Sequence, residues 1–180
     1  MKTKRLFIGT FIDSSLFDNV YKQIQDDFNT CSSGKWVETV NLHFTYQFLG
    51  DVDESFVPEV KEGIGQYLAD YDSEIIIKDL SALPKPLYPK VLYVNVLEKN
   101  GKVRKTQKLI ESALMDLGFQ PEMREYLPHV TLMRVKQSFK RCFGMMLEKY
   151  KDFEIGKMKS FSIDLVESVL TESGPVYKKL

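Results

Sequence analysis

The sequence predicts a mixed α+β or α/β chain of two lobes related by a pseudo-twofold. Three observations predict it. Runs that alternate apolar and polar residues are interleaved with stretches whose apolar residues recur every three or four positions, so strands and helices mix along the chain. His43-Phe44-Thr45 and His129-Val130-Thr131 repeat one pattern 86 residues apart, near half of the 180-residue chain. No low-complexity segment or Pro/Gly-rich linker divides the chain, so residues 1–180 read as a single domain of two intertwined lobes, one His-x-Thr motif in each.

The elements follow in order. Residues 5–12 (RLFIGTFI) read as a strand, and Asp13, Ser14 and Ser15 as N-cap candidates for the helix after it. Leu16, Val20, Ile24 and Phe28 would form that helix's apolar face. The CSSG stretch at 31–34 reads as a loop, and 42–48 as a strand ended by Gly50. Residues 54–71 form a second helical stretch, weakened by Pro58, Gly63 and Gly65. A strand at 74–83 leads into a stiff loop punctuated by Pro84, Pro86 and Pro89, and a strand follows at 91–97. Asn100-Gly101 marks a turn into a helix over 102–117, with Gly118 as its C′ residue. Then come a strand at 130–135 entered through Pro128, a helix at 138–150, and a long strand at 161–170. Gly174-Pro175 turns the chain into a short return strand at 176–177.

Composition bounds the function. With 43% hydrophobic residues the chain can bury a core, so it is not disordered. The basic, then apolar N-terminus alternates like a strand and lacks a signal-type cleavage site, and no apolar run reaches the ~20 residues of a membrane span. Cys31 and Cys142 supply neither a disulfide framework nor a four-cysteine zinc site, so a reduced, cytoplasmic protein is expected. Net charge is zero, yet residues 51–79 sum to −7 and residues 134–159 to +5. A strongly basic nucleic-acid coat is excluded, whereas a locally positive cleft is not.

His43 and His129 are the only histidines. In a strand, residues i and i+2 share a side. His43, Thr45 and Gln47 would thus share one face and Phe44, Tyr46 and Phe48 the other; His129 and Thr131 would oppose Val130 and Leu132. The apolar faces belong in the core, which leaves the His/Thr faces looking into a groove between the lobes. Two histidines are too few ligands for a zinc ion, and no carboxylate or thiol repeats beside them, so no metal is expected.

NLHFTYQFLGDV and PHVTLMRVK resemble the two signatures of the 2H phosphoesterase superfamily. RLFIGTFID, KVLYVNV and FSIDLVESVLTESGPVY resemble further segments of its RNA 2′,3′-cyclic phosphodiesterase branch, once described as 2′-5′ RNA ligase. The likeness covers nearly the whole chain, with the motifs in the same order. It departs at Tyr46, Gln47, Tyr93 and Leu127, which bears on substrate preference more than on chemistry.

The resemblance implies an α+β fold of mostly antiparallel sheets lining a central cleft, with helices outside. It implies hydrolysis of RNA or nucleotide 2′,3′-cyclic phosphate ends to a 2′-phosphate, with no cofactor and no metal. His43 would be the general acid to the leaving oxygen and His129 the general base, an order that the symmetry of the two motifs leaves reversible. Histidine suits both roles, because its ordinary pKa lies near 6.5. Thr45 and Thr131 can donate hydroxyl hydrogen bonds to the phosphate, and Arg134 matches an arginine that often follows the second motif. The partner would be an RNA or oligonucleotide end, without membrane or obligate protein partner, the enzyme acting as a monomer. Alternatives with the same residues are an ADP-ribose cyclic phosphate or a 2′-5′ linked oligonucleotide as substrate, and reversible 2′-5′ ligation. A non-catalytic RNA-end binding module is a further alternative, from another class.

Weaker candidates stand beside these. Arg5 and Lys90 read first as surface charge, Tyr46 and Trp36 as packing, and Met145-Met146 as core or interface filler. Cys31 has no partner base nearby in the sequence.

Overall fold

A computed structural model describes residues 2–172 and 174–180. The first strand, β1 (Thr3–Phe11), is followed by a 3-10 turn at Ser14–Phe17 and then by helix α1 (Tyr21–Asn29). The expected cap is present but caps the turn: Asp13 accepts the Ser15 amide hydrogen at 3.0 Å, and the α-helix starts seven residues later than the spacing suggested. The buried face is accordingly Phe17, Tyr21, Ile24 and Phe28, while Leu16 and Val20 are only partly buried.

The CSSG stretch corrects a second expectation. It opens strand β2 (Ser32–Trp36), because Gly34 has no side chain to keep the backbone from the carbonyl of Arg134. Strand β3 (His43–Asp53) runs through Gly50 instead of ending there; Gly50 takes φ +73° where β3 slips register against β1. The 54–71 stretch breaks up, as its Gly and Pro content allows. A 3-10 turn at Glu54–Phe56 leads into α2 (Val57–Ile64), a second turn follows at Gly65–Tyr67, and β4 (Asp70–Tyr71) closes it.

Strands β5 (Ile75–Lys85) and β6 (Tyr88–Glu98) form one long hairpin through the prolines that suggested a loop; Pro84 lies opposite Pro89, with a cis Leu83–Pro84 bond. Helix α3 (Lys102–Asp116) ends as expected, with Gly118 at φ +89° and the Phe119 amide donating back to the Leu114 carbonyl. Strand β7 (His129–Ser138) and helix α4 (Lys140–Lys149) follow, then β8 (Glu154–Met158), a strand the sequence pattern did not reveal. The 161–170 run is two strands, β9 (Phe161–Ser162) and β10 (Asp164–Leu170), split where the Ile163 amide donates to the Ala69 carbonyl. Strand β11 (Pro175–Lys179) completes the chain and is longer than expected.

Among the described residues every strand pairing is antiparallel, which settles the choice for α+β. One sheet has the order β11-β10-β1-β3, the larger one β2-β7-β6-β5-β8, and β4 pairs with β9. Each large sheet carries one His-x-Thr strand, and β3 and β7 are in contact. The core lies where the apolar faces meet. Phe44 and Val130, each between the His and Thr of its motif, are both fully buried in it.

Candidate active site

Each histidine is the first residue of its strand, and the two are oriented by the same local device. The Nδ1 of His43 lies 2.7 Å from the carbonyl oxygen of Asn41, and the Nδ1 of His129 lies 2.7 Å from that of Leu127. A carbonyl oxygen can only accept, so Nδ1 carries the hydrogen in both rings. Nε2 is therefore the free nitrogen in each: an acceptor when the ring is neutral, a donor when it is charged.

The surroundings differ. His43 stacks on Phe7 at 4.8 Å between ring centroids, meets Tyr177 edge-on at 4.9 Å, and lies 5.6 Å from Phe11. His129 meets Tyr93 edge-on at 5.0 Å. Burial is the main influence that lowers the His43 pKa from its ordinary value. The Asn41 carbonyl opposes that shift, while the positive charges of His129 and Arg134 add to it. These two charges act on His43 from the other sheet, so His129 and Arg134 lie within electrostatic reach of it.

Simple alternation does not explain why Arg134 joins this face, since it lies three residues past Thr131. A bulge does. On β7, Thr131 is opposite Tyr93 but Met133 is opposite Leu92, so one extra residue enters the strand. Leu132 and Met133 are both buried, the alternation changes phase, and Arg134 emerges exposed. Strand β3 has the matching irregularity: Thr45 is opposite Gly9 and Gln47 opposite Ile8. Here the structure corrects the expected face. Gln47 is buried and donates to the Gln120 carbonyl at 3.2 Å, while Phe48 turns out and is 70% exposed. The motifs therefore match to a sixth position, His-x-Thr-x-x-Phe against His-x-Thr-x-x-Arg.

Thr45 and Thr131 are both partly exposed, and among the described residues neither hydroxyl has a hydrogen-bond partner. Arg134 makes no ion pair there either, although its charge also acts on the Tyr177 hydroxyl. No three His, Cys, Asp or Glu side chains cluster among the described residues.

Of the weaker candidates, Tyr46 is buried against Thr10 and Phe44, and Trp36 packs edge-on to Tyr21 with its indole N–H on Asn29. Cys31 is fully buried, which pushes its thiol up to about 11. Met146 packs against the core, whereas Met145 is exposed. Tyr93, singled out above as a departure from the family, thus packs on His129, whereas the aromatic wall of Phe7, Phe11 and Tyr177 around His43 escaped the sequence reading. Phe7 and Phe11 had a signal, since with Gly9 they share one side of β1 by period two. Tyr177 had none, because β11 lies at the sheet edge opposite β3 and its ring reaches His43 only across Phe7 of β1.

A family model described as the 2′-5′ RNA ligase superfamily matches residues 16–157. An Aquifex aeolicus protein named RNA 2′,3′-cyclic phosphodiesterase is 32% identical over 98% of this chain and 95% of its own length. An Aeropyrum pernix protein of the same name is 37% identical over 81% of this chain and 83% of its own. Among solved structures, Escherichia coli LigT complexed with 3′-AMP superposes with a TM-score of 0.77 at 17% identity, over 99% of this chain and 96% of that one. A Thermus thermophilus protein gives 0.74 at 22% identity, over 98% and 94%. No helix among the described residues is long and apolar enough to cross a membrane.

Proposed function

Because the chain belongs to the 2′-5′ RNA ligase superfamily, we propose that it hydrolyses RNA or nucleotide 2′,3′-cyclic phosphate ends to a 2′-phosphate, by histidine acid–base chemistry without a metal. The observation that carries this reading is the matched pair of Nδ1 bonds. It leaves two Nε2 atoms free on the two strands that meet, beside two threonine hydroxyls and an arginine that have no partner among the described residues.

The step balances with these residues alone. His129 Nε2 takes a proton from water as the water oxygen bonds to phosphorus. The bond from phosphorus to the ribose 3′ oxygen breaks, and His43 Nε2 gives its proton to that oxygen. Thr45 and Thr131 donate to the non-bridging oxygens, where charge grows in the transition state, and Arg134 offsets that charge. One histidine comes from each sheet, so residues 1–180 act as one catalytic unit, a monomer in this reading.

The direct test is turnover of a nucleoside 2′,3′-cyclic phosphate in excess EDTA, with the product identified. Activity that persists and yields the 2′-phosphate supports the reading. Activity that needs an added divalent ion, or a 3′-phosphate product, would sink it.

A pH dependence follows from the burial of His43. In the free site burial lowers the pKa of His43, so one apparent pKa in the kcat/KM profile should fall below the ordinary ~6.5. The bound phosphate is an anion and favours the charged ring. The same limb should therefore move to higher pH in the kcat profile. Profiles that coincide would contradict that electrostatic picture.

A further inference from the structure

Positive charge in and beside β2, β7 and the end of the β5–β6 hairpin extends beyond the residues that the hydrolysis uses. Residues 32–36, 84–91 and 129–147 contain seven lysines and arginines and no acid. Among the described residues none of those seven forms an ion pair; the ten salt bridges found there are all made by other lysines. Elsewhere the protein neutralises many of its cations, and here it does not.

Two of the seven continue the site from Arg134. Lys35 on β2 lies directly opposite Arg134 across the ladder, and both are exposed. Its Nζ lies 3.4 Å from where a side chain on Gly174 would begin, so the ammonium reaches across to the turn between β10 and β11, whose second strand carries Tyr177. Lys136 is the extra residue where β7 bulges against β2, Ser33 facing Gln137 and Gly34 facing Val135; it is exposed next to buried Val135, which puts it on the Arg134 side. Neighbouring strands lie about 4.8 Å apart and alternate residues about 6.8 Å apart. The three cations thus form a compact triangle that begins at the catalytic groove and leads away from His129.

Resting on the function proposed above, the geometry points to Lys35 and Lys136 as a subsite for the phosphate next to the cyclic end, so that the preferred substrate is an oligoribonucleotide rather than a mononucleotide. A single terminal phosphate is served by Arg134 and the threonines. Two more unpaired cations beside them fit a second negative charge of the same chain. Such interactions act through charge and position, without reading bases.

The test compares the wild type with K35Q/K136Q, and with K105Q on α3 as a charge control. The substrates are uridine 2′,3′-cyclic phosphate and a tetraribonucleotide ending in the same group. Binding of a fluorescein-labelled tetranucleotide is measured in parallel by anisotropy across a salt series. The double variant is expected to raise KM and Kd for the tetranucleotide about tenfold and to lower the salt slope by about 0.7 for each phosphate that is no longer neutralised. Turnover of the mononucleotide should be unchanged, which also reports an intact fold. An equal loss on both substrates, or no loss on either, overturns the subsite. If neither substrate turns over but tetranucleotide binding still depends on the two lysines, the hydrolase reading falls and the subsite stands.

Discussion

Replacing His129 by alanine is expected to lower kcat on a 2′,3′-cyclic phosphate by about 10²–10⁴, the usual range for losing a positioned acid or base. His43→Ala should cost as much on that substrate. Both variants should keep the fold, because each ring is only partly buried and its polar bond goes to a main-chain oxygen two residues upstream. The roles separate on a different substrate. A nucleotide 4-nitrophenyl phosphodiester expels a leaving group that needs no proton, so removing the general acid costs little, whereas the water still needs its base. His43→Ala should therefore regain much of its activity on the activated ester, and His129→Ala should not. Rescue of His129→Ala alone would exchange the two assignments. Rescue of neither, with folding intact, would argue against acid catalysis by either ring.

Gly34→Ala is the substitution with the largest expected effect on stability. A methyl group there would lie 2.2 Å from the Arg134 carbonyl oxygen, 3.0 Å from its carbon and 3.1 Å from the Val135 Cα. All three are backbone atoms of the neighbouring strand, which no rotamer change can move aside. The clash is relieved only by parting β2 from β7. Overpacking of this kind costs about 1–3 kcal/mol, and the loss of ladder hydrogen bonds adds to it. At about 2–4 °C per kcal/mol for a chain of this size, a drop in Tm of roughly 5–10 °C is expected. Because β2 is an edge strand, its detachment sets a ceiling on the damage. Thermal unfolding followed by circular dichroism measures the shift, and a Tm within a degree of wild type would show that β2 does not pass so close. Lys35 moves with β2, so tetranucleotide affinity should fall in the same variant.

The same glycine shows why the sequence reading missed β2. In CSSG, Gly34 reads as a turn residue, yet here it serves close approach to a strand about a hundred residues away, which local pattern does not report. The proline-rich segment failed for a related reason. The hairpin of β5 and β6 absorbs Pro84 and Pro89 opposite one another at its end, where ladder bonds are already lost. What depended on short-range periodicity was legible: β1, the two motif strands, α3 with its glycine stop, and the return of the chain at Gly174-Pro175. The pairing of His and Thr was legible because period two needs only two residues. Gln47 and Phe48 were assigned to the wrong faces because a bulge exchanges them, and a bulge is set by the partner strand. Arg134 was singled out by resemblance alone, and the phase change on β7 supplies the physical reason that it reaches the site.

The orientation of both imidazoles by main-chain oxygens has a consequence for the tolerance of this site to mutation. Many histidines in catalytic sites owe their tautomer to a carboxylate, whose replacement disables the ring from a distance. Here the partner oxygens belong to the peptide units of Asn41 and Leu127, which every amino acid at those positions would supply. A saturation scan should thus find two intolerant histidines flanked, two residues upstream, by positions where side-chain identity matters little. The proposed acid–base pair then has no tautomer-setting side chain to lose, and drift in the surrounding sequence can retune the substrate while the chemistry persists.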